Sequence, residues 1–282
     1  MNDMKSLNEQ LLSHVELIAK QAGDAIMQVY NAAGQITVQE KEDLSPVTEA
    51  DLIAQHVIVS QLSQLNLLWP VLSEESALPS FYRRYQWDTY WLVDPLDGTQ
   101  EFIHRQPEFT VNIALIQQGV PILGVVHAPV TGQSYVGAKE VGAFRVLGQQ
   151  REKITTRATQ LPLTVVASRR HGTDALTEML DGLEKHTGPH QLAQMGSSLK
   201  ICLIAEGKAD FYPRLAPTCE WDTAAAQAVL EAAGGVIVTK DGQPLRYNTK
   251  DDIKNPHFFA MGQWRECWQQ WGVVDDKKHT PC

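Results

Sequence analysis

The sequence predicts an α/β protein with strands layered between helices. Three patterns predict it: an apolar period of three and four near the start, alternating apolar residues through the middle, and strand-like and helix-like segments taking turns thereafter. Leu7, Leu11, Val15, Ile18, Ala22 and Ile26 fall on one face of a long helix. A second helix is expected from Glu49 to Leu65. Phe109, Val111, Ile113 and Leu115 then alternate, and Ile122, Gly124 and Val126 do so again across a turn at Gly119-Val120-Pro121, as in a hairpin of an antiparallel sheet. Further strands are expected at 134–136 and 143–146. The polar stretch 148–160 lowers the apolar density and sets a soft boundary between an N-terminal part, 1–155, and a C-terminal part, 156–282. Beyond it come segments at 163–167, 174–185, 191–195, 198–206, 210–212, 223–233 and 236–238. Trp264, Trp268 and Trp271 step by four and three and read as a core or interface stripe, and residues 275–282 read as a frayed tail.

Composition excludes several classes of function. With 282 residues, 43% apolar and 20% charged, the chain is an ordinary globular sequence long enough for a sizeable core. Lysine and arginine number 24 against 33 acidic residues, a net charge of −9 with no basic run, so a nucleic acid polymer is not the expected partner. The opening MNDMKSLNEQ lacks the apolar stretch of a signal peptide, and no window reaches the roughly 20 apolar residues of a membrane span, so a cytoplasmic location is expected. Cys202, Cys219, Cys267 and Cys282 are widely spaced and suggest neither a disulfide framework nor a zinc site.

Three segments join acidic residues to sharp turns: Leu72-Ser73-Glu74-Glu75-Ser76, Trp91-Leu92-Val93-Asp94-Pro95-Leu96-Asp97-Gly98-Thr99, and Glu220-Trp221-Asp222. Each has an ordinary explanation alone. Asp-Pro and Asp-Gly form turns, Asp222 suits the N-cap of the alanine-rich helix after it, and Glu74 and Glu75 suit a solvated loop. Asp94 differs because Tyr90 to Val93 reads as a buried strand that Pro95 ends, which holds a carboxylate near the interior. Were the three segments to converge, unit charges about 4 Å apart would repel by about 4 kcal/mol at an effective dielectric near 20. No lysine or arginine adjoins any of them, whereas oxygen ligands with room for water suit magnesium or manganese.

Taken together, Asp94-Pro95-Leu96-Asp97-Gly98-Thr99, Glu74-Glu75-Ser76 and Trp221-Asp222-Thr223-Ala224-Ala225, with Gly234-Gly235 further on, resemble the signature set of the magnesium-dependent, lithium-sensitive inositol monophosphatase superfamily. The runs 97–103 and 108–115, with Gly196-Ser197-Ser198-Leu199-Lys200 and Tyr212-Pro213-Arg214, are most similar to its 3'(2'),5'-bisphosphate nucleotidases of the bacterial CysQ type. That resemblance implies an αβαβα layered sandwich with the site between its two parts. It implies hydrolysis of the 3'-phosphate of adenosine 3',5'-bisphosphate to AMP in sulfur assimilation, with its sulfated precursor as a further substrate. Inositol or sugar monophosphate hydrolysis stays open as an alternative, as does a noncatalytic metal-stabilised nucleotide sensor. Peripheral association with the cytoplasmic face of the inner membrane is left open too.

The resemblance also implies roles. Glu74, Asp94 and the Leu96 carbonyl match one metal site and Asp94, Asp97 and Asp222 a second, for two or three Mg2+ with Mn2+ as a substitute. Thr99 matches the threonine that orients the attacking water and Asp51 the carboxylate that holds it. Ser168 and His171 match positions near the nucleotide. Beside them, the amides of Gly98 and Thr99 would cradle phosphate oxygens if a short helix starts there, and Ser198 and Lys200 stand at an expected helix start that favours an anion. Asp222 joins the substrate side, with Arg214, Tyr212 and Thr218 as weaker candidates. Lys41 matches a lysine near the metals. A lone histidine ordinarily has a structural or solvent role, and the Gly-Ser-Ser segment is also explained by simple helix capping. Two positions depart from the usual pattern: Gln100 replaces a lysine, removing a positive charge beside the phosphate, and Ala226 replaces a glycine.

Overall fold

The computed structural model describes residues 2–32, 37–41, 46–65, 67–168, 174–264 and 267–275, with side chains from residue 8 onward. In chain order the elements begin with helix α1 (Asn2–Asn31), a hairpin of β1 (Val38–Glu40) and β2 (Pro46–Thr48), and helix α2 (Glu49–Gln64). Then follow β3 (Val71–Ser73), α3 (Phe81–Arg84), β4 (Thr89–Asp97), α4 (Thr99–Ile103), β5 (Thr110–Gln117), β6 (Val120–Ala128), β7 (Gln133–Ala138), β8 (Gly142–Leu147) and β9 (Gln150–Ile154). The remainder comprises β10 (Thr164–Ala167), α5 (Asp174–Thr187), β11 (Gln191–Gln194), α6 (Leu199–Ala205), β12 (Phe211–Arg214), a 3-10 turn (Glu220–Asp222), α7 (Ala224–Ala232), β13 (Val236–Thr239), β14 (Phe258–Met261) and α8 (Cys267–Gln270).

Strands β3 to β9 form one sheet in sequence order, antiparallel except for the β3–β4 pair. A second, mixed sheet has the order β11-β10-β12-β14-β13. Side-chain alternation assigns the layers. Trp91, Val93, Ile113 and Leu115 pack with Leu12, Val15, Ile18 and Ile58 of α1 and α2, whereas Leu92, Ala114 and Ile116 pack with Ala225 and Val229 of α7. In the second sheet Val166, Tyr212, Phe258 and Ala260 face that same central layer, while Val165, Phe211, Phe259 and Met261 face Leu180 and Leu183 of α5 and Trp268 of α8. The order is therefore α, β, α, β, α, and both sheets are covered on both faces.

Several local expectations shift for physical reasons. The hairpin turn is Gln118-Gly119, both at positive φ, and Val120 and Pro121 already belong to β6. Pro121 is accommodated there by a register shift opposite Leu115 and Ile116. Leu12, fully buried, lies deeper in the stripe of α1 than Leu11, and the Leu7 side chain lies outside the described residues. Trp268 is buried and stacks on Phe211 with centroids 4.9 Å apart, and Trp264 and Trp271 pack partly buried against the same cluster. Asp275 is tied in by its amide, which donates to Lys240 O, and the tail beyond it lies outside the described residues. Among the described residues no helix is long and apolar enough to cross a membrane.

One close approach sets the position of the central layer. A Cβ on Gly124 of β6 would sit 2.1 Å from the carbonyl oxygen of Ala225, so glycine here and alanine in α7 allow the helix onto the sheet. The start of α7 is thereby held beside the end of β4, where the carboxylates lie.

Candidate active site

The strand β4 does not stop at Pro95. It runs to Asp97 because Asp94 pairs with Asn112 and Asp97 with Thr110, leaving Pro95 and Leu96 as a bulge opposite Val111 alone. A proline is tolerated at such a point because no ladder hydrogen bond is asked of it. The bulge keeps Asp94 buried at 1% exposure, with Oδ1 accepting from Leu96 N at 3.0 Å, and sends the chain through Gly98 at φ +97° into α4.

Glu74 follows β3, which lies parallel to β4, and its amide donates to Val93 O. Asp222 ends the 3-10 turn, and its Oδ2 accepts from Cys219 N at 2.9 Å, so it caps that turn and not α7, whose N-cap is Thr223. Glu74, Asp94 and Asp222 converge: one carboxylate oxygen of each lies within 4.8 Å of the others. Asp97 stands beside them and adds to their repulsion, but its Oδ2 is turned to Ser198, accepting from the amide at 2.6 Å and from the hydroxyl at 2.8 Å. Burial pushes the Asp94 and Asp222 carboxyls well above the ordinary aspartate range, and their acidic neighbours push the same way. Glu74 is also raised, by burial, against the pull of Lys41.

Lys41 Nζ bonds Glu74 at 2.8 Å and Glu75 at 2.6 Å and is, among the described residues, the cation paired with this cluster. Burial alone would lower its pKa; the two carboxylates reverse that and hold it above the usual lysine value. Burial raises Glu75 to about 7. Although Arg214 and Lys200 pull on Asp222 from a greater distance, among the described residues neither Asp94 nor Asp222 forms an ion pair. Their hard oxygen donors, buried and repelling, fit a divalent cation of the magnesium type.

The remaining predicted residues fall into two groups. Thr99 opens α4, and its hydroxyl lies 3.2 Å from Asp51 Oδ1 and 3.3 Å from Leu96 O. Asp51 Oδ2 meanwhile accepts from Thr48 N and Oγ1, so the residue also closes a capping box on α2. Burial raises the Asp51 carboxyl. The second group lines the pocket beside the cluster: Asp97, Gly98, Ser168, Ser198, Lys200, Asp222, Tyr212, Arg214 and Thr218. Lys200 has 7% exposure, its ammonium 5.7 Å from the Tyr212 ring centroid, and burial lowers its pKa to about 8. His171 lies outside the described residues.

Ser198 makes no capping bond for α6. Its hydroxyl lies between Asp97 Oδ2 and Asp222 O, at 2.7 Å from the latter, and accepts from Asn112 Nδ2 at 2.9 Å. It is thus placed to hold the acids as well as to border the pocket. Asn112, 1% exposed, and Glu108, whose Oε2 accepts from Gly196 N at 2.6 Å, were not singled out from the sequence. The signal for Asn112 was one amide within an apolar strand; Glu108 offered none.

The sequence profile of the inositol monophosphatase family matches residues 7–267. The 3'(2'),5'-bisphosphate nucleotidase CysQ of Escherichia coli (strain K12) is 49% identical over 248 residues, 88% of this chain and 98% of that protein. Its counterpart from Haemophilus influenzae is 40% identical over 273 residues, 94% and 99% of the two chains. Among solved structures, CysQ from Bacteroides thetaiotaomicron superposes with a TM-score of 0.80 at 39% identity, covering 91% of this chain and 98% of that one. The Thermotoga maritima IMPase TM1415 shares the fold, with a TM-score of 0.74 at 23% identity over 94% and 95% of the chains.

Proposed function

We propose, from the premise that the chain belongs to the inositol monophosphatase family, that it is a metal-dependent 3'(2'),5'-bisphosphate nucleotidase. It removes the 3'-phosphate of adenosine 3',5'-bisphosphate to leave AMP and phosphate in sulfur assimilation, and acts on the sulfated precursor as a second substrate. The observation that carries this reading is the 49% identity to a nucleotidase of that name across 98% of its length. The location proposed with it is the cytoplasm.

Glu74, Asp94, the Leu96 carbonyl, Asp97 and Asp222 would hold two or three Mg2+. Bound there, the cations supply Lewis acidity to the phosphate oxygens and neutralise charge that develops at the leaving oxygen. Thr99 donates to Asp51, which fixes its hydroxyl and leaves its oxygen lone pairs to accept from the attacking water. The amides of Gly98 and Thr99, at the start of α4, have no intrahelical partner and can bond phosphate oxygens. Lys200 supplies a positive charge across the pocket from the carboxylates, and Arg214 a second. Ser168 and His171 are assigned to the nucleotide. Gln100, carrying no charge, places the burden of phosphate attraction on Lys200 and Arg214.

The deciding experiment measures phosphate release from adenosine 3',5'-bisphosphate and from inositol 1-phosphate, with Mg2+ and with or without lithium. Faster release from the bisphosphate, suppressed by lithium, is expected. Faster release from the inositol ester would move the assignment to an inositol phosphatase, and release from neither would favour a sensor.

A further inference from the structure

Arg84 ends the short helix α3, lies in the N-terminal part of the chain, lines none of the substrate pocket, and is 0% exposed. Burying a guanidinium is costly unless its bonds are used. Its Nη1 donates to Asn248 Oδ1 at 2.5 Å, Asn248 Nδ2 donates back to Arg84 O at 2.6 Å, and Nη2 donates to Asp251 O. The carboxylate within ion-pair reach among the described residues is Asp251, 3.8 Å away and 88% exposed, which is a weak counterion. So the arginine is spent on holding Asn248.

Asn248 in turn stands at φ +54°, which aims its amide at Glu220 Oε2, 2.9 Å away. Glu220 is 1% exposed, and its own amide donates to Ile253 O at 3.0 Å. Glu220 begins the 3-10 turn that Asp222 ends. The same loop grips the turn further up: Asn255 Nδ2 donates to Cys219 O at 2.7 Å, and Asn255 N to Thr218 O at 2.8 Å. Arg84, Tyr90 and Glu220 are buried close enough to one another to interact: burial raises the Glu220 carboxyl to about 7, while Arg84 stabilises the carboxylate.

A device of this kind answers a mechanical need. Asp222 is repelled by Asp94 and Glu74 and sits on a 3-10 turn of three residues, whose hydrogen-bond geometry is poorer than that of an α-helix, so bonds to the turn from outside add to its hold. We propose that Arg84, acting through Asn248 and Glu220, is a positioning residue that holds the Asp222 carboxylate toward Asp94 and Glu74. This rests on reading those three acids as metal ligands.

The test is calorimetric titration of Mg2+ into chelator-treated protein, with thermal unfolding alongside. Asn248→Gly keeps both the left-handed φ and the amide bond to Glu220 and deletes only the link to Arg84. It should weaken Mg2+ binding by about tenfold, the scale seen when groups behind metal ligands are lost. Arg84→Lys should do the same, and the double variant should be no weaker than the weaker single, because both act along one path. Leu183→Ala, in α5 on the outer face of the second sheet, should lower the melting temperature while leaving the Mg2+ affinity unchanged. Wild-type affinity in Asn248→Gly, additive losses in the double variant, or an equal loss in Leu183→Ala would each overturn the positioning role. If Arg84→Lys does not fold, Asn248→Gly decides alone. Failure of the wild-type protein to take up Mg2+ would overturn the metal site and this inference together, whereas uptake undiminished in the variants overturns the inference only.

Discussion

Replacing Asp94 by asparagine should destroy catalysis and yet stabilise the metal-free protein, the reverse of the usual result for a buried polar side chain. At the 4.8 Å that bounds the Glu74, Asp94 and Asp222 oxygens, each ionised pair repels by about 3.5 kcal/mol at an effective dielectric near 20, and Asp94 takes part in two of the three pairs. Part of this is already relieved by protonation, because burial holds the Asp94 carboxyl well above its ordinary range. A net gain of about 2 kcal/mol is therefore expected, or roughly 4 °C in melting temperature for a chain of this length. The asparagine keeps the oxygen that Leu96 N donates to, and its new N–H group faces two carboxylates, so no buried donor is orphaned. Mg2+ at about a hundred times its Kd should stabilise the wild type by about 2.7 kcal/mol and the variant hardly at all. The assay is thermal unfolding of both proteins in chelator and in Mg2+, with phosphate release measured in parallel. The variant should melt higher than wild type in chelator and lose that lead in Mg2+. A variant that melts below wild type in chelator, and still gains from Mg2+ with wild-type turnover, would refute both the convergence argument and the ligand assignment.

Thr99→Ala should lower kcat by about 100-fold while calorimetric Mg2+ binding stays unchanged, because the hydroxyl acts on water and not on the cation; Thr99→Ser should recover most of the rate. Lys41→Met should tighten Mg2+ binding several-fold, since its ammonium competes for Glu74, and titration at low ionic strength should show it most clearly. Burial lowers His127 to about 4 from the ordinary 6.5, so the unfolded chain binds more protons between those values and stability falls as the pH drops through that window, by at most about 3 kcal/mol. Denaturant midpoints of wild type and His127→Asn should differ by this slope, on top of the opposite slope that Glu75 and Glu220, both raised to about 7, give to each protein. Gly124→Ala should cost about 2 kcal/mol or more in urea unfolding, since its Cβ would meet Ala225 O at 2.1 Å.

What could be read from the sequence divides along the line between local and nonlocal causes. The span of α2 and the apolar face of α1 are set by neighbours in the chain, through helical period, and were legible. The convergence of the acids at 74, 94 and 222 is nonlocal and was expected only from the family resemblance of their motifs. The course of β4 past Pro95 was not legible, because the bulge exists only by virtue of the register with β5. The same holds for Pro121, which local rules place in a turn and which the β5–β6 register places in a strand. The pairing of Lys41 with Glu74 spans 33 residues, and Ser198 reaches Asp97 across 101, so neither contact leaves a trace in local spacing. For Ser198, placed on the substrate side with helix capping as its ordinary alternative, the hydroxyl makes no cap and is committed to Asp97 and the Asp222 carbonyl.

Asp94 and Asp97 come from the first sheet, Glu74 from its parallel edge, Asp222 from the turn into α7, and Ser198, which holds Asp97, from the start of α6. None of these elements alone has a reason to tolerate the charge it carries. The acids are brought together by the apolar packing around them: alanines of α7 against Gly124 on one side, and Val166, Tyr212 and Phe258 of the second sheet on the other, the last two also lining the pocket. The core thus does work against the electrostatics of the site, and the affinity for dications proposed above would follow from that opposition, because neutralising the acids recovers energy that folding has stored. It follows that substitutions loosening the α7 packing should weaken cation binding even where they touch no ligand. Substitutions relieving the repulsion should strengthen the fold while abolishing its chemistry.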